Sequence, residues 1–213
     1  MKQVLSFLTL LLLTLNGFAQ VTAPAAYNST IKLNYVRTWD PVKPYSSDAD
    51  VISSSRTVQE VKQATAYFDA LGRPIQTVVK RGSMVSGSAA TDLVTANVYD
   101  EYGREVYKYL PFVANSTGGN SSINDGQFKL NPFQQDSAFN KGIFSDESYF
   151  YSKTVFEPSP LNRPLETFAA GDNWVGTASQ GSEANRRGIK TKYWVNMTAD
   201  SVRIWTAGTM TSS

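Results

Sequence analysis

The sequence predicts a mainly β protein, built of successive antiparallel hairpins with one short helix. Three observations lead there. Apolar and polar residues alternate with period two through most of the chain, the signature of strands with one buried face. Only 18% of residues are charged while 12% are aromatic, a balance that suits β-structure. A short pattern, aromatic-Asp-x-x-Gly-Arg, is written twice, as AYFDALGRPIQTVV (66–79) and NVYDEYGREVYKYLPF (97–112).

The N-terminal residues are expected to be a signal peptide, residues 1–19. Lys2 is followed by an apolar run from Val4 to Leu15, and Gly17 and Ala19 place small residues where a signal peptidase reads. The run is shorter than the about 20 apolar residues of a membrane-spanning helix. No cysteine follows it, which argues against a lipid anchor. The expectation is a secreted or cell-surface protein, cleaved near Ala19, with no transmembrane segment in the mature chain. With no cysteine at all, disulfides contribute nothing, and an exported chain without them points to a bacterial source.

Next comes a first strand and linker, residues 20–57. IKLNYVRT (31–38) sets Ile31, Leu33 and Tyr35 on one strand face, and DPVKPYSSDADVISSS (40–55) has the Pro and Ser content of a linker. Residues 58–213 read as the main β domain. VQEVKQATAYFD leads into the first motif, and ANSTGGNSSINDG (114–126) is loop-like. NPFQQDSAFN (131–140) is the one helical stretch, with Asn131 as N-cap and Pro132 at the first helical position. Strands resume from Tyr149, and TKYWVNMTADSVRIW (191–205) reads as a hairpin around Asn196 to Asp200.

The repeated motif is a turn by composition. An Asp at the head of a type I turn accepts hydrogen bonds from backbone N–H groups ahead of it. A Gly three residues later supplies positive φ, giving a three-residue hairpin loop with a bulge. Asp69 with Gly72 and Arg73, and Asp100 with Gly103 and Arg104, are therefore expected to reverse the chain. A looser third copy is FEPSPLNRPLETF (156–168). Glu157 stands for Asp, the loop gains two residues, and Asn162 replaces Gly before Arg163. Asn is the non-Gly residue that best tolerates positive φ. Each arginine is expected to pair with a turn acid.

In this order, YFDALGRPIQTV, YDEYGREVYKYLPF, VFEPSPLNRPLETFAAGDNW and YWVNMTADSVRIW resemble the N-terminal domain that precedes the repeat core of exported bacterial RHS/YD-repeat proteins. The resemblance spans roughly residues 30–205. It implies hairpins that spiral into a hollow shell, a shell that often encloses a C-terminal toxin. The partner so implied is the rest of the protein's own repeat chain, with a toxin cargo. The family runs on through many repeats, so any C-terminal activity would lie beyond Ser213.

The residues also limit the chemistry. Without His or Cys there is no Ser-His-Asp or Cys-His constellation and no common zinc site. Ser29-Thr30-Ile31-Lys32 matches Ser-x-x-Lys, but that dyad needs a helical turn and here runs into a strand pattern. The acids Asp69, Asp100 and Glu157 are each explained as turn caps rather than a glycosidase pair. Neither 48–50 nor 118–126 has the spacing of a calcium loop. The basic run NRRGIKTKYW (185–194) reads as a solvated strand face, and a net charge of +2 demands no nucleic-acid partner. No enzyme activity and no cofactor are therefore expected. Most of the four tryptophans are expected in the core. Trp174, Trp194 and Trp205 are the residues on which an alternative rests, a self-contained module binding a surface glycan by ring stacking.

Overall fold

The computed structural model describes residues 23–83, 90–177, 180–182, 184–194, 197 and 199. Their strands are β1 (Asn34–Pro41), β2 (Val61–Phe68), β3 (Pro74–Val79), β4 (Leu93–Ala96), β5 (Tyr107–Tyr109), β6 (Phe112–Val113), β7 (Tyr151–Phe156), β8 (Pro164–Phe168) and β9 (Ile189–Lys190). One single-turn helix, α1 (Asp48–Val51), a short 3-10 turn (Thr117–Gly119) and one 12-residue helix, α2 (Pro132–Ile143), complete the regular elements. The fold is mainly antiparallel β with one short helix of consequence.

Five strands form a sheet in the order β1-β2-β3-β4-β6, and four form a second in the order β5-β7-β8-β9. All pairs are antiparallel. A bridge between Asn97 and Lys108 joins the two sheets. β5 and β6 are two halves of one stretch interrupted at Leu110-Pro111. The first half pairs with β7, and the second stays on β4, Phe112 opposite Val94. Pro111 has no N–H to donate, so the ladder breaks there. Leaving β6 aside, the strands follow one another as a meander in chain order, and every second connection is one of the predicted turns.

The core lies between the first sheet and α2. It contains Tyr67, Ile75, Val78, Val94, Tyr109, Phe112, Phe133 and Tyr151. Aromatic contacts link its parts, with Tyr109 centred 4.7 Å from Phe133 and 5.4 Å from Tyr151. Tilted and edge-on ring pairs of this kind add to area burial. Tyrosine and phenylalanine, not tryptophan, fill this core. Among the described tryptophans, Trp39 is half-buried, Trp174 is exposed, and Trp194 is 77% exposed.

Several sequence expectations shift. The first strand starts at Asn34 and runs to Pro41, so Ile31 lies before it and Asp40-Pro41 belong to it rather than to a linker. Tyr35 is exposed because little packs on the faces of β1, an edge strand, and Ile31 is exposed ahead of it. Pro41 at the strand's end fits such an edge. β1 pairs with β2 along its whole length, from Asn34 opposite Phe68 to Pro41 opposite Val61. Within the predicted linker Ser47 caps α1, accepting the Asp50 N–H at 3.2 Å. Asn131 stands at the N-cap of α2 but makes no capping bond. Its side chain instead donates to the Thr117 carbonyl (2.8 Å) and accepts from Gln135 Nε2 (2.6 Å). The proposed 191–205 hairpin lies mostly outside the described residues.

The loop before α2 is pinned by a buried polar knot. Lys129 and Asp92 are both fully buried, with Lys129 Nζ 2.7 Å from Asp92 Oδ2. Nζ also reaches Asp125 Oδ1 (3.1 Å) and Ser122 Oγ (3.2 Å), filling its three donor positions. Asp92 accepts the N–H of Arg81 on Oδ1 and of Gly126 on Oδ2, each at 2.8 Å. Gln76 exchanges two bonds with the Lys129 backbone, at 2.7 and 3.1 Å. Among the described residues no helix is long and apolar enough to cross a membrane.

Candidate functional site

The three turns share one internal geometry. In the first, Asp69 Oδ1 accepts the N–H groups of Leu71 and Arg73, both at 2.9 Å. Its Oδ2 takes the Arg73 guanidinium through Nε and Nη2, both at 2.8 Å. The backbone closes between Asp69 and Arg73 and between Asp69 and Gly72, whose φ is +76°. The second turn repeats this: Asp100 Oδ1 accepts from Tyr102 (2.9 Å) and Arg104 (2.8 Å), and Oδ2 holds Arg104 Nε and Nη2 at 2.8 Å. Gly103 has φ +78°.

The third turn divides the aspartate's work between two residues. Glu157 holds Arg163, with Nε–Oε1 at 2.9 Å and Nη2–Oε2 at 2.8 Å. Ser159 heads the turn itself: its Oγ accepts the Leu161 N–H (3.2 Å), and its carbonyl accepts the Asn162 N–H (3.1 Å). Those are the bonds Asp69 makes to Leu71 and Gly72. Ser159 Oγ in turn donates to Glu157 Oε1 at 2.7 Å. Asn162 has φ +51°. The two extra residues therefore make room for separate clamp and turn-head groups. Sequence reasoning passed over Ser159, although a small hydroxyl three residues before Asn162 was the available signal. In the first and third turns the pairing slips by one residue at the aromatic, Phe68 facing Pro74 and Phe156 facing Pro164.

These bonds set the electrostatics. Asp69 is held below its ordinary range, first by the Arg73 backbone N–H and then by its guanidinium. At Asp100 burial pushes upward, but the combined bonds from Arg104 and Tyr102 prevail and lower it. Glu157 is drawn down to about 2, chiefly by hydrogen bonds from Arg163 and Ser159.

Successive turns stack through one repeated step. Arg73 lies over the ring of Tyr99 at 4.6 Å, Arg104 over Phe156 at 5.2 Å, and Arg163 over Tyr193 at 4.5 Å. Tyr99 and Phe156 are the aromatics that precede the acid of the following turn. Beside each ring the backbone repeats as well. Asn97 N–H donates to the Ile75 carbonyl, Thr154 to Val106, and Thr191 to Leu165, each at 2.9 Å. In all three cases the donor lies two residues before the aromatic and the acceptor two residues after the arginine. The hydroxyls of Tyr99 and Tyr193 close onto the carbonyls of Pro74 (2.9 Å) and Pro164 (3.2 Å).

The column carries an exposed apolar ridge. Leu71, Tyr102 and Leu161, each just before its turn's positive-φ residue, are exposed. Because the third loop is longer, a cleft of about 610 Å³ opens between it and the second turn, lined by Tyr102, Arg104, Phe156, Pro158, Pro160 and Asn162. Trp174 has the Arg187 guanidinium 5.1 Å from its ring centre, and Trp194 has Lys192 at 6.0 Å. Trp205 lies outside the described residues. Among the described residues no group of three or more Asp, Glu, His or Cys is placed to hold a metal ion.

Neither the curated proteins nor the solved structures contain a match to this chain. Residues 37–188, which take in most of β1 and all three turns, match the family described as a domain of unknown function, DUF6443, and the chain belongs to that family.

Proposed function

We propose that this chain is the N-terminal scaffold and docking domain of an exported RHS/YD-repeat protein. Its stacked turns begin, or plug one end of, a β-shell that encloses a C-terminal toxin. The observation that carries this reading is the threefold recurrence of one step: arginine over the next aromatic, with a 2.9 Å backbone bond beside it. A step that depends only on its nearest neighbour extends by adding further units, as in solenoid repeats. The role is enclosure and docking without a reaction. Each acid of the column is committed to its own arginine, which leaves none of these three carboxylates poised for proton transfer to a substrate. Residues 1–19 supply the export signal, and no cofactor is required.

The test is the native gene product recovered from the secreted fraction. A product several times longer, forming hollow particles by electron microscopy with this domain at one end, is the expected result. A secreted product consisting of this domain alone would overturn the reading. In that event the exposure of Trp174 and Trp194 (46% and 77%) favours a second one, a glycan-binding β module. Quenching of tryptophan fluorescence by cell-wall or host glycans would support that module, and a flat titration across a broad panel would remove it.

A further inference from the structure

We propose that Lys129 and Asp92 condense into an intramolecular amide, a covalent cross-link between the residue just before β4 and the segment entering α2, with Asp125 carrying the proton. The site goes beyond the scaffold reading and does not depend on it.

Four features assemble this chemistry. The amine and the carboxyl group it would attack are in contact and buried: Nζ is 2.7 Å from Asp92 Oδ2, and both side chains have no exposed surface. Holding the reacting groups together in this way replaces a bimolecular encounter with a fixed approach. The Arg81 N–H sits 2.8 Å from Asp92 Oδ1, the oxygen that carries negative charge when the amine adds to Cγ. A second carboxylate, Asp125 Oδ1, is 3.1 Å from Nζ and is itself held by Ser122 Oγ at 2.8 Å. Finally, an ion pair buried this deeply bears a large desolvation cost, which a neutral amide in the same place removes.

The step balances within the site. Nζ passes one proton to Asp92 Oδ2 along their direct contact, leaving a neutral amine and a carboxylic acid. The amine adds to Cγ, forming the C–N bond and placing negative charge on Oδ1 beside the Arg81 N–H. Asp125 removes a proton from the new ammonium and returns it to the Oδ2 hydroxyl. The Cγ–Oδ2 bond breaks, one water leaves, and Oδ1 becomes the amide carbonyl. No oxidant, reductant or other reactant is needed. The bond closes the loop that carries the second turn, β5 and β6. In a chain without cysteine it supplies the constraint on the unfolded state that a disulfide would otherwise give.

The experiment is mass spectrometry of the denatured, purified protein with its native sequence. The expected mass is one water below that calculated for the chain as purified, with any export signal removed. A tryptic digest is expected to yield one branched peptide joining the Asp92 and Lys129 segments, with no cleavage after Lys129. Full mass together with cleavage after Lys129 would overturn the proposal, as would a water loss confined to a single unbranched peptide. Asp92→Asn is expected to lose ammonia instead of water, and Lys129→Arg to lose neither. Asp125→Ala is expected to slow cross-linking in freshly refolded protein, and an unchanged rate would overturn its proton-carrying role. If these variants fail to fold, the native-sequence spectrum alone still decides.

Discussion

Arg73 clamps Asp69 within its own turn at 2.8 Å and at the same time covers the ring of Tyr99, 4.6 Å away, in the next. One guanidinium thus closes a local turn with its edge and joins two turns with its face. The planar, delocalised cation of arginine can do both at once, and a lysine ammonium cannot.

The stacking is measurable at the second step, where Arg104 lies 5.2 Å from the centre of Phe156. A double-mutant cycle of Arg104→Gln and Phe156→Leu, followed by urea denaturation, is expected to give a coupling of about 0.5–1 kcal/mol. Arg104→Lys is expected to lose most of it. A coupling of zero would mean that the two groups are neighbours without interacting.

The glycines separate strain from crowding. Gly72→Ala forces an L-residue to φ +76° with nothing within 4 Å of the new methyl, so about 1–2 kcal/mol of strain is expected. Gly103→Ala carries the same strain, and its Cβ also comes within 3.0 Å of Arg73 Nη1. It is therefore the more destabilising, and it weakens the step to Tyr99 as well. Denaturant midpoints for the two variants read the difference directly.

Ser159 and Glu157 act as a pair. The Glu157 carboxyl is held down to about 2, against an ordinary 4.5. Its folded value is depressed, so the stability it contributes is present above pH 4.5 and is lost as pH falls towards 2. Ser159→Ala removes one of the bonds that hold it down. NMR titration of the Glu157 side chain is expected to show the carboxyl moving up, and the acid limb of the stability curve is expected to flatten. A carboxyl that titrates identically in the variant would refute the shared role.

Asp136 on α2 has the opposite sign. It is buried, with Asn140 Nδ2 donating to it at 2.8 Å, and desolvation pushes its carboxyl up to about 7. A raised folded value favours folding below the unfolded value of 3.8 and loses that contribution as pH rises to about 7. Asp136→Asn is expected to raise stability at pH 8 by on the order of 2–4 kcal/mol while changing it little at pH 4. Thermal melts at the two pH values test this, and equal shifts at both would contradict it.

Lys129→Met removes the proposed cross-link and leaves Asp92 buried without the cation it faces. Loss of one member of a buried pair costs about 3–5 kcal/mol. Adding Asp92→Asn removes the stranded charge, so the double variant is expected to recover part of the loss. A single variant as stable as the parent would mean that the knot has opened to solvent.

How much of this was legible beforehand follows the range of each interaction. The turns at Asp69 and Asp100 were readable because every bond that defines them spans four residues or fewer. The third turn was readable only in outline, since two residues share the work of one and the shorter motif hides Ser159. α2 was found from Pro132 and its neighbours, but the use of Asn131 to tie Thr117 and Gln135 was not, because it depends on a loop folded back from earlier in the chain. The alternation of 31–38 suggested a buried face, but no residue of β1 is buried, because little packs on that strand.

By itself the sequence determined the reversals: where φ turns positive in each of the three turns, which acid holds each turn's arginine, and that strands flank them, all consequences of local sterics and short hydrogen bonds. Tertiary structure decided the rest. It placed Arg163 on Tyr193, split one strand between two sheets at Pro111, and brought Lys129 to Asp92 in the dry interior. Those relationships join residues far apart in the chain. Their energies come from burial and long-range packing, which no short pattern of residues encodes.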